Sequence, residues 1–122
     1  MSDGAIRQYA PLRFTGQDVR VRHAVGWPPG MAPDGSEAQM LPTPDVIVIE
    51  EQSSSSVFLY RMTMTGELAG DTWHRSVEEA KGQARYEYGD AVGEWKSIPA
   101  DVSDACGFAV AVARAASKAN QT

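Results

Sequence analysis

The chain has 122 residues and a formal net charge of −5 at pH 7. That length suits one domain, with room for a core that needs neither disulfide nor metal. The one cysteine, Cys106, excludes an intramolecular disulfide and a cysteine-based zinc site.

The charge is uneven. Residues 1–33 hold four Arg against two Asp, residues 34–104 hold fourteen acids against five bases, and residues 105–122 hold Arg114 and Lys118 with no acid. An acidic body disfavours general nucleic-acid binding, which rests on neutralising phosphates. It suits a basic protein partner. The opening MSDGAIRQYAP lacks the apolar run of a signal peptide, and no stretch approaches the ~18 apolar residues of a membrane span. No membrane partner is expected, and a reducing cytoplasm is the expected compartment.

Residues 1–8 read as a ragged end. Residues 12–14 and 18–25 read as two strands around Thr15-Gly16-Gln17. In the second, Val19, Val21, His23 and Val25 share one side, and Arg20 and Arg22 lie on the other. The arginines suit a guarded edge hairpin. The alternative is an anion or RNA contact through Arg13, Arg20 and Arg22. His23 reads as a histidine at the edge of the core. Residues 26–45 hold five prolines and three glycines, which leaves neither helix nor central strand. This long loop carries Trp27 beside Pro28-Pro29, so it reads as an arm over the body or over a neighbouring subunit. The chain therefore divides into an N-terminal hairpin and Pro/Gly-rich arm (residues 1–45) and an α+β core (residues 46–122), one domain overall.

The run VIVIEE from Val46 has four successive aliphatic residues, the mark of a strand buried on both faces. A serine turn leads to an alternating strand over residues 57–65. Phe58, Tyr60, Met62 and Met64 are its expected core face, with Val57, Leu59, Arg61, Thr63 and Thr65 opposite. Thr65-Gly66-Glu67 reads as a turn, and a strand over residues 68–73, loosened by Gly70, completes a meander. Ser76 with Glu79 forms a capping box, and Val77, Ala80, Ala84 and Tyr88 recur at helical spacing up to Gly89. A helix over residues 77–88 follows. A short strand over residues 94–98 carries Trp95. Asp101 or Ser103 then caps a second helix that runs to about Lys118. That helix is apolar nearly all round, so it needs a cover on a second side. The proline-rich arm or a second copy would supply it, the copy through Phe108, Val112 and Ala116, and a homodimer is the expectation. The fold class is α+β: an antiparallel three- to five-stranded sheet, built on a meander, with two helices packed on one face.

Few constellations carry chemistry. Asp71, His74 and Glu78 are weak candidates for a divalent metal or an acid–base pair. Cys106 sits on an apolar helix and reads as a small hydrophobe. Ser53–Ser56 match no nucleophile elbow, and the glycines match no phosphate or dinucleotide loop. No catalytic residue and no cofactor is assigned. Glu50, Glu51, Glu67, Asp71, Glu78, Glu79, Glu87, Asp90 and Glu94 surround the meander and first helix. With Trp27, the acids Glu50, Glu51, Glu67, Asp71, Glu78 and Glu79 are the candidate contacts to a partner.

Gly70-Asp71-Thr72-Trp73-His74, followed by Ser76-Val77-Glu78-Glu79-Ala80 and Tyr86-Glu87-Tyr88-Gly89, resembles a group of small bacterial proteins of unknown function. The strand–strand–strand–helix order is also loosely similar to HicB-type antitoxins, which pair such a half-domain with a DNA-binding element that this sequence lacks. The resemblance brings no catalytic residues. The sequence therefore points to a non-catalytic binding protein, homodimeric, acting through an acidic surface or the Trp27 arm. The alternatives are an antitoxin or immunity-type protein that neutralises a basic partner, and a small metal-assisted hydrolase.

Overall fold

A computed structural model describes residues 6–13, 24–25, 39–40 and 42–119. In chain order its elements are β1 (Arg7–Pro11), β2 (Ala24–Val25), β3 (Gln39–Met40), β4 (Val46–Ser53), β5 (Ser56–Met62), β6 (Leu68–His74), α1 (Val77–Tyr88), a 3-10 turn (Gly89–Ala91), β7 (Lys96–Ser97) and α2 (Ala105–Ala119). The fold is α+β. Five strands form one antiparallel sheet in the order β6-β5-β4-β1-β7, and β2 pairs with β3 separately. No helix among the described residues is long and apolar enough to cross a membrane.

The aliphatic run opening β4 is buried on both faces, as its composition requires, but the covers are not where the sequence placed them. Ile47 and Ile49 pack with Ala80, Ala84 and Tyr88 of α1. Val46 and Val48 pack with Ala105, Ala109 and Val110 of α2. Successive strand residues point to opposite faces. The two helices therefore lie on opposite sides of the sheet, not on one, and the fold has three layers. Both faces of β4 are apolar, so one helix layer would leave half of it wet.

The N-terminal segment also supplies a strand to the sheet. Residues 7–11 overlap the last two positions of the expected ragged end, residues 1–8, yet are extended. They form β1, which sits between β4 and β7 with Tyr9 opposite Val48 and Ala10 opposite Ile47. The core thus draws on both sides of residue 45. Leu12 bridges to Val92, and Ala24–Val25 pairs with Gln39–Met40 rather than with residues 12–14. The remainder of the expected hairpin, with His23, Arg20 and Arg22, lies outside the described residues, as does Trp27.

The core face of β5 is the reverse of the expected one. Val57, Leu59, Arg61 and Thr63 are buried under α1, whereas Phe58, Tyr60 and Met62 are only half-buried. Arg61 misled the alternation, because a buried guanidinium is rare unless paired. Here Glu87, from α1, pairs it in a fork: Arg61 Nε donates to Glu87 Oε1 at 2.9 Å and Nη2 to Oε2 at 2.8 Å. Arg61 also donates to the Leu59 carbonyl and to Thr72 Oγ1. Gln83 Nε2 donates to Glu87 Oε2 at 2.6 Å. Glu87 is therefore part of the interior and not of the acidic surface.

The caps of α1 follow the sequence. Ser76 Oγ accepts the Glu79 N–H at 3.0 Å, and Glu79 Oε1 accepts the Arg75 N–H. Gly89, at φ 56°, closes the helix by donating to the Arg85 carbonyl. Helix α2 is capped neither by Asp101 nor by Ser103 but by Asp104, whose Oδ1 accepts the Gly107 N–H at 2.9 Å. Arg7 holds the approach to α2 by donating to the carbonyls of Val102 and Pro99, both at 2.7 Å.

Glu87→Ala leaves Arg61 buried without its counter-ion and is expected to cost about 3–5 kcal/mol in urea unfolding. The double variant Arg61→Leu/Glu87→Leu should cost clearly less than the two single changes added together, since neither charge is then stranded. Additive losses would show that the two side chains do not act as a pair.

Candidate functional site

Helix α2 runs over β4 and touches β1 and β5 on either side; its apolar cluster holds Tyr9, Val46, Val48 and Ile98, with Tyr60 and Met62 packed against it. Toward the β6 edge the same face of the sheet is left uncovered. Register places Phe58 opposite Trp73, Tyr60 opposite Asp71, and Met62 opposite Leu68. Glu50 lies opposite Phe58 on the inner side. The result is a strip of Phe58, Tyr60, Leu68 and Trp73 with Glu50 and Asp71 beside it. Trp73 is 52% exposed and Leu68 47% exposed. The Phe58 and Tyr60 rings stack with centroids 5.9 Å apart. Trp73 is oriented by its Nε1–H, which donates to Ser56 Oγ at 3.0 Å. Burial, then the nearby Glu50, Cys106 and Asp71, hold the Tyr60 hydroxyl above its ordinary value, so it stays a neutral donor.

This strip was missed in the sequence because its aromatic side was assigned to the core. The signal that locates it is Trp73: a tryptophan on a short strand interrupted by Gly70 suits an edge, where a large ring meets solvent. Gly70, at φ 120°, sits where the β5–β6 register shifts between Tyr60 and Met62.

The acids expected to form one surface are divided by the sheet. Glu50 and Asp71 border the strip, and Glu67 stands in the exposed turn between β5 and β6, where it accepts from Thr65 Oγ1. Glu51, Glu78 and Glu79 lie on the α1 side, with Glu51 accepting the Ile6 N–H.

The metal candidates do not come together. Asp71 points to the α2 side of β6, while His74, three residues on, points to the α1 side. His74 Nε2 shares a 2.7 Å hydrogen bond with Thr72 Oγ1, and its Nδ1 lies 3.7 Å from Glu79 Oε1. Glu78 is exposed. Among the described residues no group of three or more His, Cys, Asp or Glu could hold a metal ion. The Cys106 thiol is pushed up to about 11, chiefly by burial and then by Asp104 and Glu50, so it is not a nucleophile at neutral pH.

Of the three contacts proposed for a second copy, Phe108 and Val112 pack against the chain itself. Phe108 is half-buried and meets Tyr9 edge-on with ring centroids 5.8 Å apart, and Val112 packs in the α2 cluster. Ala116 is exposed. The bare flank of α2 holds Gly107, Ala111, Arg114 and Ala115. Apart from Arg114, the side chains on this flank are small.

Burial lowers the His74 pKa from its ordinary 6.5, against the opposing pull of Glu79. The folded state therefore prefers neutral His74. Its contribution to stability is complete above the unfolded value and is lost as pH falls from about 6.5 through the folded value. His74→Gln should flatten the fall in urea midpoint between pH 7 and pH 5 relative to the parent chain. An identical pH slope in the two proteins would rule out this role.

No protein-family model matches the chain, and neither a curated protein nor a solved structure matches it.

Proposed function

We propose that the protein is a non-catalytic interaction module that docks a basic protein partner on the strip formed by Phe58, Tyr60, Leu68 and Trp73. The observation that carries this reading is the juxtaposition of exposed Trp73 with the carboxylates of Glu50 and Asp71. Exposed aromatic area supplies affinity, and tryptophan and tyrosine are enriched among residues that dominate binding energy. The carboxylates select a cationic partner and speed its encounter. Cationic side chains would also find the aromatic faces favourable. The strip reaches the outer strand β6, so a partner can approach without displacing α2.

Neutralisation of a basic toxin is the specific form of this reading that the antitoxin-like element order suggests. A homodimer through the same strip brings Glu50 and Asp71 of two copies toward each other, which favours a basic partner over self-association. The single half-buried thiol suits the cytoplasm. A hydrolytic role has little support, since Asp71 and His74 are turned to opposite faces of β6.

The test uses nitrogen-15 NMR with two peptides of equal length, one alternating Arg and Leu, the other Glu and Leu. The basic peptide is expected to shift Phe58, Tyr60, Asp71 and Trp73, with the effect weakening as salt rises. Trp73→Ala should weaken binding by about thirtyfold, as for a hot spot of ~2 kcal/mol. Equal shifts from the acidic peptide, or shifts elsewhere only, would sink the proposal.

A further inference from the structure

Helix α2, centred on β4, leaves a second, separate hollow on its other flank. It lies between β1 and the C-terminal half of α2 and has a volume of about 210 Å³. Its floor is Tyr9 and Val46, and its wall is Ala109 and Val112. Pairing of Tyr9 with Lys96 puts the lysine on this face of the sheet. Arg13, two residues beyond the end of β1, joins it at the mouth. Both cations are exposed, and neither makes an ion pair among the described residues. Glu94 lines the mouth as well, so the rim carries two cations against one anion in a protein whose total charge is −5.

We propose that this hollow binds a small aliphatic carboxylate, with the hydrocarbon tail between Tyr9 and Val112 and the head group at Arg13 and Lys96. Three observations combine. The interior is apolar, so it favours a hydrocarbon. The charge at the mouth is locally inverted relative to the rest of the molecule, so it selects an anion. The volume falls below the roughly 300 Å³ at which drug-sized ligands begin to fit, so the occupant is small. A basic peptide of the kind taken by the aromatic strip is excluded by the rim charge, which keeps the two surfaces distinct.

The experiment is calorimetric titration of the full chain with octanoate, and with octylamine and octan-1-ol as controls. Octanoate should bind, octan-1-ol more weakly, and octylamine not measurably. Across hexanoate, heptanoate and octanoate each added methylene should tighten binding by about fourfold until the hollow is full. The rim substitutions should split by sign: Arg13→Gln and Lys96→Gln each weaken binding by about two- to fivefold, and Glu94→Gln strengthens it by a similar factor. All three positions are exposed, and circular dichroism checks that each variant folds. Ala116→Trp, at the exposed end of the wall, should block the tail without touching the head-group site. The proposal is overturned if octanoate fails to bind, if octylamine binds equally, or if the three rim variants behave alike. Binding of a peptide with a C-terminal leucine carboxylate, without binding of octanoate, would also overturn it, because the occupant would then be a macromolecule.

Discussion

The first four residues of β4 have no side that can face water, and the architecture follows from that. Val46 to Ile49 are each 0–1% exposed. Fully burying one aliphatic side chain of this size contributes about 1.5–3 kcal/mol, so leaving either face bare would forfeit a large part of a typical domain's net stability. One helix cannot cover both faces of a strand. The chain therefore places α1 on the Ile47/Ile49 side and α2 on the Val46/Val48 side. Strand β1 closes the remaining edge of β4, which brings a segment from the N-terminus into the middle of the sheet.

The Arg61–Glu87 pair fixes how α1 sits on that sheet. Two ions taken out of water are costly, and their forked geometry, with Thr72, Leu59 and Gln83 satisfying further bonds, is what offsets the cost. A helix shifted by one turn along β5 would lose the fork and strand both charges. The pair therefore acts as a register pin. The Thr72–His74–Glu79 contacts carry the polar interior outward from this pin to the solvent at the start of α1.

A helix centred on β4 leaves the sheet uncovered toward β6, where the aromatic strip lies. It also leaves a hollow beyond the alanines of α2. Because α2 presents Ala109, Ala113 and Ala116 toward the hollow, it does not fill the space down to Tyr9 and Pro11. The two openings differ in sign: Glu50 and Asp71 border the strip, and Arg13 and Lys96 the hollow. A single net charge of −5 conceals this arrangement.

Local chemistry was legible in the residues. The capped helix over residues 77–88, the Gly66 turn, the meander and the two-sided burial of β4 were all readable, because caps, turns and periodicity act over a few residues. The insertion of residues 7–11 beside β4 was not readable, since strand pairing across more than thirty residues leaves no local mark. The buried face of β5 was misread because Arg61 looks solvent-facing until Glu87, 26 residues away, is brought against it. The opposite placement of the helices, and with it the strip at Trp73 and the hollow at Lys96, was decided by tertiary packing alone. Side-chain alternation says that a strand has two apolar faces, but which helix covers which face depends on the path of the chain between them.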